Sequence, residues 1–298
     1  MEFGPPERVA DKRRDGAMKL RAGSLRSYLS YHLINRHPRF RLFLVRTFFP
    51  DRDVDMELCG SRLRINTRKE FGFLRACKLA RSNWVLGHEL GVLTTLAFLL
   101  EPNDTFVDVG ANVGLYASIV SRAGFVFPGM KFYAIEPNPD TLCRLRETLR
   151  DRNVKIYDCA LSNREGELEF CEGAGSAVFG VKCQESRLQI KNRTLRIKAV
   201  TLDSLPIEGD SIVLKIDVEN HELEVLEGGR KLLMSGRAKA VYLDGYADRA
   251  IPGFLRRQGF ELFDGHTLRK CEPVFSLLAI HRQHLERWAD VHCLRAVG

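Results

Sequence analysis

The stretch Phe106-Val107-Asp108-Val109-Gly110-Ala111-Asn112-Val113-Gly114, continuing into Leu115-Tyr116-Ala117, decides the fold. Thr105 to Val109 is a short apolar run of strand length, the glycines mark a tight turn, and Leu115 to Ala123 has the pattern of a helix. A second strand follows over Lys131 to Ile135. The next helix is opened by Asn138 as N-cap, with Pro139 in the first helical position and Leu142, Leu145 and Leu149 on its inner face. Val154 to Cys159 reads as a third strand. After a hairpin-like insert with strands over Leu168 to Phe170 and Leu195 to Val200, core strands recur at Ile212 to Ile216, Ala240 to Leu243, Phe260 to Phe263 and Ser276 to His281. This alternation implies βαβ units and a mostly parallel sheet, an α/β fold.

Upstream of the decisive stretch, Leu86, Leu90, Leu93, Ala97 and Leu100 recur at three- and four-residue steps, the pattern of one face of an amphipathic helix ending before Pro102. Met56 to Ile65 alternates weakly, as in a short hairpin. Leu25 to Phe49 interleaves aromatics with arginines and reads as helix broken near Pro38. Two readings stay open for it: a surface for a membrane, a protein partner or RNA, or aromatics that cover the main domain beneath solvated arginines. The expected organisation is a disordered lead-in over 1–24, a basic helical extension with its hairpin over 25–84, the catalytic-type α/β domain over 85–285 and a tail over 286–298.

Composition narrows the function. At 298 residues, 45% apolar and 28% charged, the chain is neither disordered, collagenous nor an integral membrane protein. Its net charge of +8 is confined to the N-terminal quarter: residues 1–69 hold 16 Lys/Arg against 8 Asp/Glu, and the remainder holds 30 of each. A neutral body argues against a general nucleic-acid binder. The eight cysteines form no CxxC pair and have no neighbouring His at metal-ligand spacing, so no metal site is expected and reduced, buried thiols are. With no apolar leader segment and no apolar run of membrane-spanning length, the expected location is cytoplasmic, with peripheral membrane contact through 25–49 as the variant.

The glycine turn carries the chemistry. Gly110 and Gly114 are four apart with Asn112 between them, which does not meet the dinucleotide pattern GxGxxG, and the absence of that pattern weighs against a dehydrogenase. Asp108, two residues before the turn, would repel phosphate oxygens but suits a cationic ligand such as S-adenosylmethionine, whose ammonium and sulfonium a carboxylate can stabilise. Glu136, at the end of the second strand, is placed to accept both ribose hydroxyls, as an acid does in the dinucleotide fold. Cys159, Ala160 and Leu161, at the end of the third strand, would border the adenine. Lys215 and Asp217 fall on one face of the fourth strand by period two, and a buried ammonium in a central strand requires a carboxylate partner.

Taken together, Asp108 to Gly114, Ala134-Ile135-Glu136-Pro137, Ala160-Leu161-Ser162, Thr201-Leu202-Asp203-Ser204-Leu205 and Lys215-Ile216-Asp217-Val218-Glu219 resemble the FkbM-type family of S-adenosylmethionine-dependent methyltransferases, over about residues 89–282. The resemblance implies a Rossmann-like seven-stranded sheet, mostly parallel with an antiparallel last strand, and O-methylation of a hydroxyl on a sugar, a polyketide or a related metabolite. It carries cofactor contact onto Asp108, Gly110, Asn112, Gly114 and Glu136, and a site-lining role onto Lys215, Asp217 and Glu219. Where the family commonly has Gly after that last acid, this chain has Asn220. In-line transfer to a hydroxyl benefits from a base, for which His221 is the first candidate and Asp217 the second. A base methylase of nucleic acid is disfavoured because Asp217-Val218-Glu219-Asn220 replaces the Asn/Asp-Pro-Pro-aromatic segment. The remaining alternative is a non-catalytic nucleoside-binding module docked through its basic N-terminal helices.

Overall fold

A computed structural model of the chain describes residues 38–73, 84–172, 179–181, 193–270, 272 and 276–285. The chain divides into two compact units, Met1–Phe43 and Leu44–Gly298. The first described helix, α1 (Pro38–Phe48), runs through the division. Residues 25–37, part of the segment read as a docking surface, lie outside the described residues.

In the second unit, parallel strands β3 (Thr105–Val109), β4 (Lys131–Ile135) and β5 (Lys155–Tyr157) extend the sheet to one side, and β10 (Ile212–Ile216) and β11 (Ala238–Leu243) extend it to the other. Strand β13 (Leu277–His281) is inserted antiparallel between β11 and β12 (Phe260–Asp264). The order is β12-β13-β11-β10-β3-β4-β5, a seven-stranded sheet that is parallel except for its last strand in sequence. Strands of this kind are covered on both faces. Helices α5 (Glu222–Gly228), α6 (Arg230–Met234) and α7 (Ile251–Arg257) bury Val225, Leu226, Leu233 and Phe254 against Val107, Ile135 and Leu214. On the other face, α2 (Trp84–Leu99) and α3 (Leu115–Val120) pack Leu96, Leu99, Tyr116 and Val120 over Phe106, Phe132 and Val213.

Helix α4 (Pro139–Thr148) begins as its sequence directs: the Asn138 side chain accepts the Asp140 N–H at 3.0 Å, Pro139 stands in the first turn, and Leu142 and Leu145 are buried. The insert forms a second sheet from β6 (Ala160–Leu161), β7 (Gly166–Glu172), β8 (Phe179–Gly180) and β9 (Arg193–Val200). The third strand, expected over Val154 to Cys159, ends at Tyr157, where the chain leaves the main sheet.

Two expectations are corrected. Helix α2 exists, but Leu90 and Ala97 are exposed, and Val92, Leu93, Leu96 and Leu99 form the buried face. The helix is apolar almost all round, so periodicity alone could not select its inner side. The cysteines also differ: Cys59 and Cys143 are exposed free thiols, Cys159 is buried and free, and Cys171 is disulfide-bonded. Thiol reduction therefore no longer argues for a cytoplasmic setting. No described helix is long and apolar enough to cross a membrane.

The hairpin of β1 (Asp53–Leu58) and β2 (Ser61–Asn66) turns through Cys59 and Gly60, both left-handed (φ 50 and 71), the backbone a two-residue turn needs to match strand twist. Grouped by sequence with the N-terminal extension, it packs on the α/β layers: Leu58, Leu63 and Ile65 meet Val113 and Leu115. The Arg64 N–H donates to Thr148 Oγ1 at 2.9 Å. Behind it, Arg144 of α4 donates to Glu70 at 2.9 Å, with side chains only 6% and 0% exposed, and the other Glu70 oxygen accepts the Asn66 N–H. Removing one partner of such a pair leaves a buried charge uncompensated. We expect Glu70→Ala to lower unfolding free energy by about 3 kcal/mol, and Glu70→Leu combined with Arg144→Met to recover most of that loss in urea denaturation. A double variant no more stable than Glu70→Ala would show that the pair is not what fastens the hairpin.

Candidate active site

Strand order reverses between β3 and β10, and the crevice outside the carboxyl ends of strands at such a point is where open α/β sheets bind ligands. Here it is an open pocket walled by the β3 turn, the ends of β4 and β10, and the second sheet. Gly110 is required at its rim. Its φ is 76, and a Cβ there would stand 1.9 Å from the Asp217 carbonyl oxygen, so only a hydrogen lets the β3 turn cross the end of β10. Asn112 is also left-handed (φ 50), a conformation asparagine tolerates.

Of the residues singled out in the sequence, Gly110, Asn112, Glu136, Cys159, Ala160, Leu161, Asp217 and His221 line this pocket, as does Glu219. Glu136 is 6% exposed. One of its oxygens accepts the Asn112 N–H at 2.8 Å and the other the Asn138 N–H at 2.9 Å. Burial pushes its carboxyl up to about 7 against the pull of those two bonds. The Asn112 side-chain oxygen is buried and, among the described residues, has no hydrogen-bond partner. Burial likewise pushes the Cys159 thiol up to about 11, keeping it neutral beside the pocket.

Asp108, Gly114 and Lys215 are not among the lining residues. Asp108 is fully buried, accepts the Ala117 N–H at 3.1 Å and lies 3.4 Å from Lys215 Nζ. The two are paired residues of neighbouring strands, so parallel register brings them together. Lys215 Nζ also lies 3.4 Å from Asp217 and 4.5 Å from the centre of the Tyr116 ring. Burial works against the ammonium, but Asp108, Asp217, Asp244 and Glu89 outweigh it and hold its pKa above the usual lysine value. Burial raises the Asp108 carboxyl, with Lys215 opposing. The Tyr116 hydroxyl donates to Glu89, and burial together with that carboxylate keeps the phenol protonated. Gly114 is a packing glycine: φ is 89 and a Cβ would meet Leu145 at 2.7 Å.

His221 precedes α5, with Nε2 3.1 Å from Ser162 Oγ and Nδ1 3.5 Å from the Glu224 carboxylate. Asn220 is left-handed (φ 68), the backbone for which its amide substitutes where the resemblance would place glycine. Sequence reasoning missed Phe170 and Val181, which the insert brings to the pocket beside Cys159 to Leu161. Alternation of Leu168 and Phe170 was the available signal for a strand, but nothing in it told which cleft the strand would border. Among the described residues, no group of three His, Cys, Asp or Glu could hold a metal ion.

These placements separate two roles that sequence had joined. Asp108→Ala should act through the core, leaving Lys215 short of its buried partner and costing about 3 to 5 kcal/mol of stability. Thermal and urea unfolding measure it; a variant as stable as the parent would contradict the pairing.

Comparison with known proteins agrees with the resemblance. The model of the methyltransferase FkbM domain matches residues 108–262, just over half of the chain. The hexuronic acid methyltransferase AglP of Haloferax volcanii is 35% identical over 153 residues, which span 49% of this chain and 59% of that protein. Among solved structures, a methyltransferase FkbM from Methylobacillus flagellatus aligns at 14% identity and TM-score 0.42, over 61% of this chain and 44% of that one. A precorrin-6y C5,15-methyltransferase from Geobacter metallireducens aligns at 20% identity and TM-score 0.36, over 64% and 87%. On the match of its residues 108–262, the chain belongs to the FkbM methyltransferase family.

Proposed function

We propose that the protein transfers a methyl group from S-adenosylmethionine to a hydroxyl of a sugar or a related small metabolite. The observation that carries this reading is Glu136: a buried carboxylate at the end of β4, lining the pocket at the strand-order reversal, with each oxygen taking a single backbone N–H. A carboxylate oxygen has two acceptor sites, so each retains one for a ribose hydroxyl. The unpartnered Asn112 oxygen adds an acceptor in the same wall, Gly110 allows close approach of backbone, and Phe170 with Ala160 and Leu161 supplies apolar surface suited to a base. The residues present thus fit the nucleoside.

When bound, that nucleoside supplies an electrophilic methyl on a sulfonium, already a good leaving group. The chain's own contribution is to hold the two reactants in line, which accounts for much of the acceleration in bimolecular transfers, and to receive the proton an alcohol must lose. Family membership supports methyl transfer, and the relative from Haloferax, a hexuronic acid methyltransferase, supports a sugar as acceptor. Because the chain spans 59% of that relative, its acceptor is inferred rather than inherited.

The test is calorimetry with S-adenosylhomocysteine across about pH 6 to 8. With its carboxyl at about 7, Glu136 is protonated at the acid end and ionised at the basic end, and only the ionised form accepts both hydroxyls. Affinity should therefore rise with pH, by up to about tenfold per unit below 7. Glu136→Gln should weaken binding by about 1 to 3 kcal/mol and flatten the dependence. No heat with this nucleoside, or a clean titration by NAD instead, would overturn the reading.

A further inference from the structure

The loop Asp217-Val218-Glu219-Asn220-His221 carries three side chains able to take a proton, and their surroundings sort them. Asp217 is engaged by the Lys215 ammonium at 3.4 Å. His221, 6% exposed, is held between Ser162 and Glu224. The Glu219 carboxylate lines the same pocket and, among the described residues, has neither a hydrogen bond nor an ion pair. Its backbone is left-handed (φ 50), which costs a side-chain-bearing residue other than Asn or Asp about 1 to 2 kcal/mol. Strain of this kind persists where the surroundings impose it. Here the Asp217 N–H is fixed to the Val109 carbonyl and the Asn220 N–H to the Glu222 carboxylate, on either side of Glu219.

We propose that Glu219 is the general base of the methyl transfer, accepting the proton of the acceptor hydroxyl; this rests on the function proposed above. The acceptor oxygen forms its bond to the donor methyl carbon as the bond from that carbon to sulfur breaks, with the electron pair passing to sulfur. The hydroxyl proton goes to the Glu219 carboxylate and from there to solvent. Burial first, then the charges of Asp217 and Glu222, lift this carboxyl to about 7, matched to proton transfer near neutrality. The other ionisable groups bordering the pocket are Asp217, engaged by Lys215, Glu136, bound to two backbone N–H groups, His221, and the Cys159 thiol, which burial keeps neutral. An acid that lacked a role would be expected to find a partner or to leave the cleft; this one has no partner among the described residues, and the loop holds it at the pocket.

The test compares the full chain with Glu219→Gln and Glu219→Asp. Calorimetry with S-adenosylhomocysteine should give unchanged affinity for Glu219→Gln. In protein carrying carbon-13 at the glutamate carboxyls, the resonance lost in Glu219→Gln should titrate near 7. Transfer of labelled methyl to p-nitrophenyl glucoside and glucuronide should fall about 100-fold or more in kcat for Glu219→Gln, lose its rise with pH through neutrality, and be partly restored in Glu219→Asp. Weakened nucleoside binding with an unaltered pH profile, a resonance titrating in the ordinary carboxylate range, or undiminished transfer would each overturn the proposal. If neither sugar is methylated, the resonance decides. Failure of the wild-type chain itself to bind the nucleoside would instead overturn the function on which the proposal stands.

Discussion

A single buried ammonium organises the carboxyl edge of the sheet. Lys215 stands in a central strand where both faces are covered, and several kcal/mol of desolvation would oppose it if it stood alone. Parallel register sets Asp108 opposite it. Because the same carboxylate accepts the Ala117 N–H, the charge that balances Lys215 also fixes the first turn of α3. The Tyr116 ring over the ammonium and the Tyr116 bond to Glu89 extend this connection to α2. Two strands and two helices are thereby held in one geometry, and the glycine bend between β3 and α3 has its shape imposed at both ends.

The bend then determines what the pocket can receive. With Gly110 lying against the Asp217 carbonyl, the β3 turn and the end of β10 share one wall, and the acids near them fall into different environments. Asp108 is paired and inaccessible, Glu136 is half satisfied by backbone donors, and Glu219, without a partner among the described residues, sits in a strained loop. Environments that differ in this way let chemically similar side chains hold a ligand, hold the fold or move a proton. The Arg144–Glu70 pair has a comparable part farther out, fastening the hairpin to α4.

Much of this was legible in the sequence because it rests on short-range constraints. The strand, glycine bend and helix from Thr105 to Val120, the Asn138-Pro139 helix start and the core strands follow from hydrophobic run length, capping chemistry and the conformations open to glycine. The requirement that Lys215 find a carboxylate follows from burial alone, and the place of Glu136 at a strand end follows from the length of the apolar run before it. These depend on each residue's own chemistry and that of its near neighbours.

Tertiary structure decided which partner each group received. Sequence placed Asp108 in the pocket, since an acid beside a glycine turn reads the same whether it faces a ligand or a lysine; strand register turned it to Lys215. The inner side of α2 was hidden because an almost uniformly apolar helix has no periodicity to read, and it was set by the surface of the sheet beneath it. Phe170 and Val181 reach the pocket because the insert folds into a second sheet beside it, a placement that local pattern does not encode. The sequence by itself settled the kinds of element and the charges that had to be compensated, while long-range packing chose which carboxylate would balance the lysine and which would be left facing the cleft.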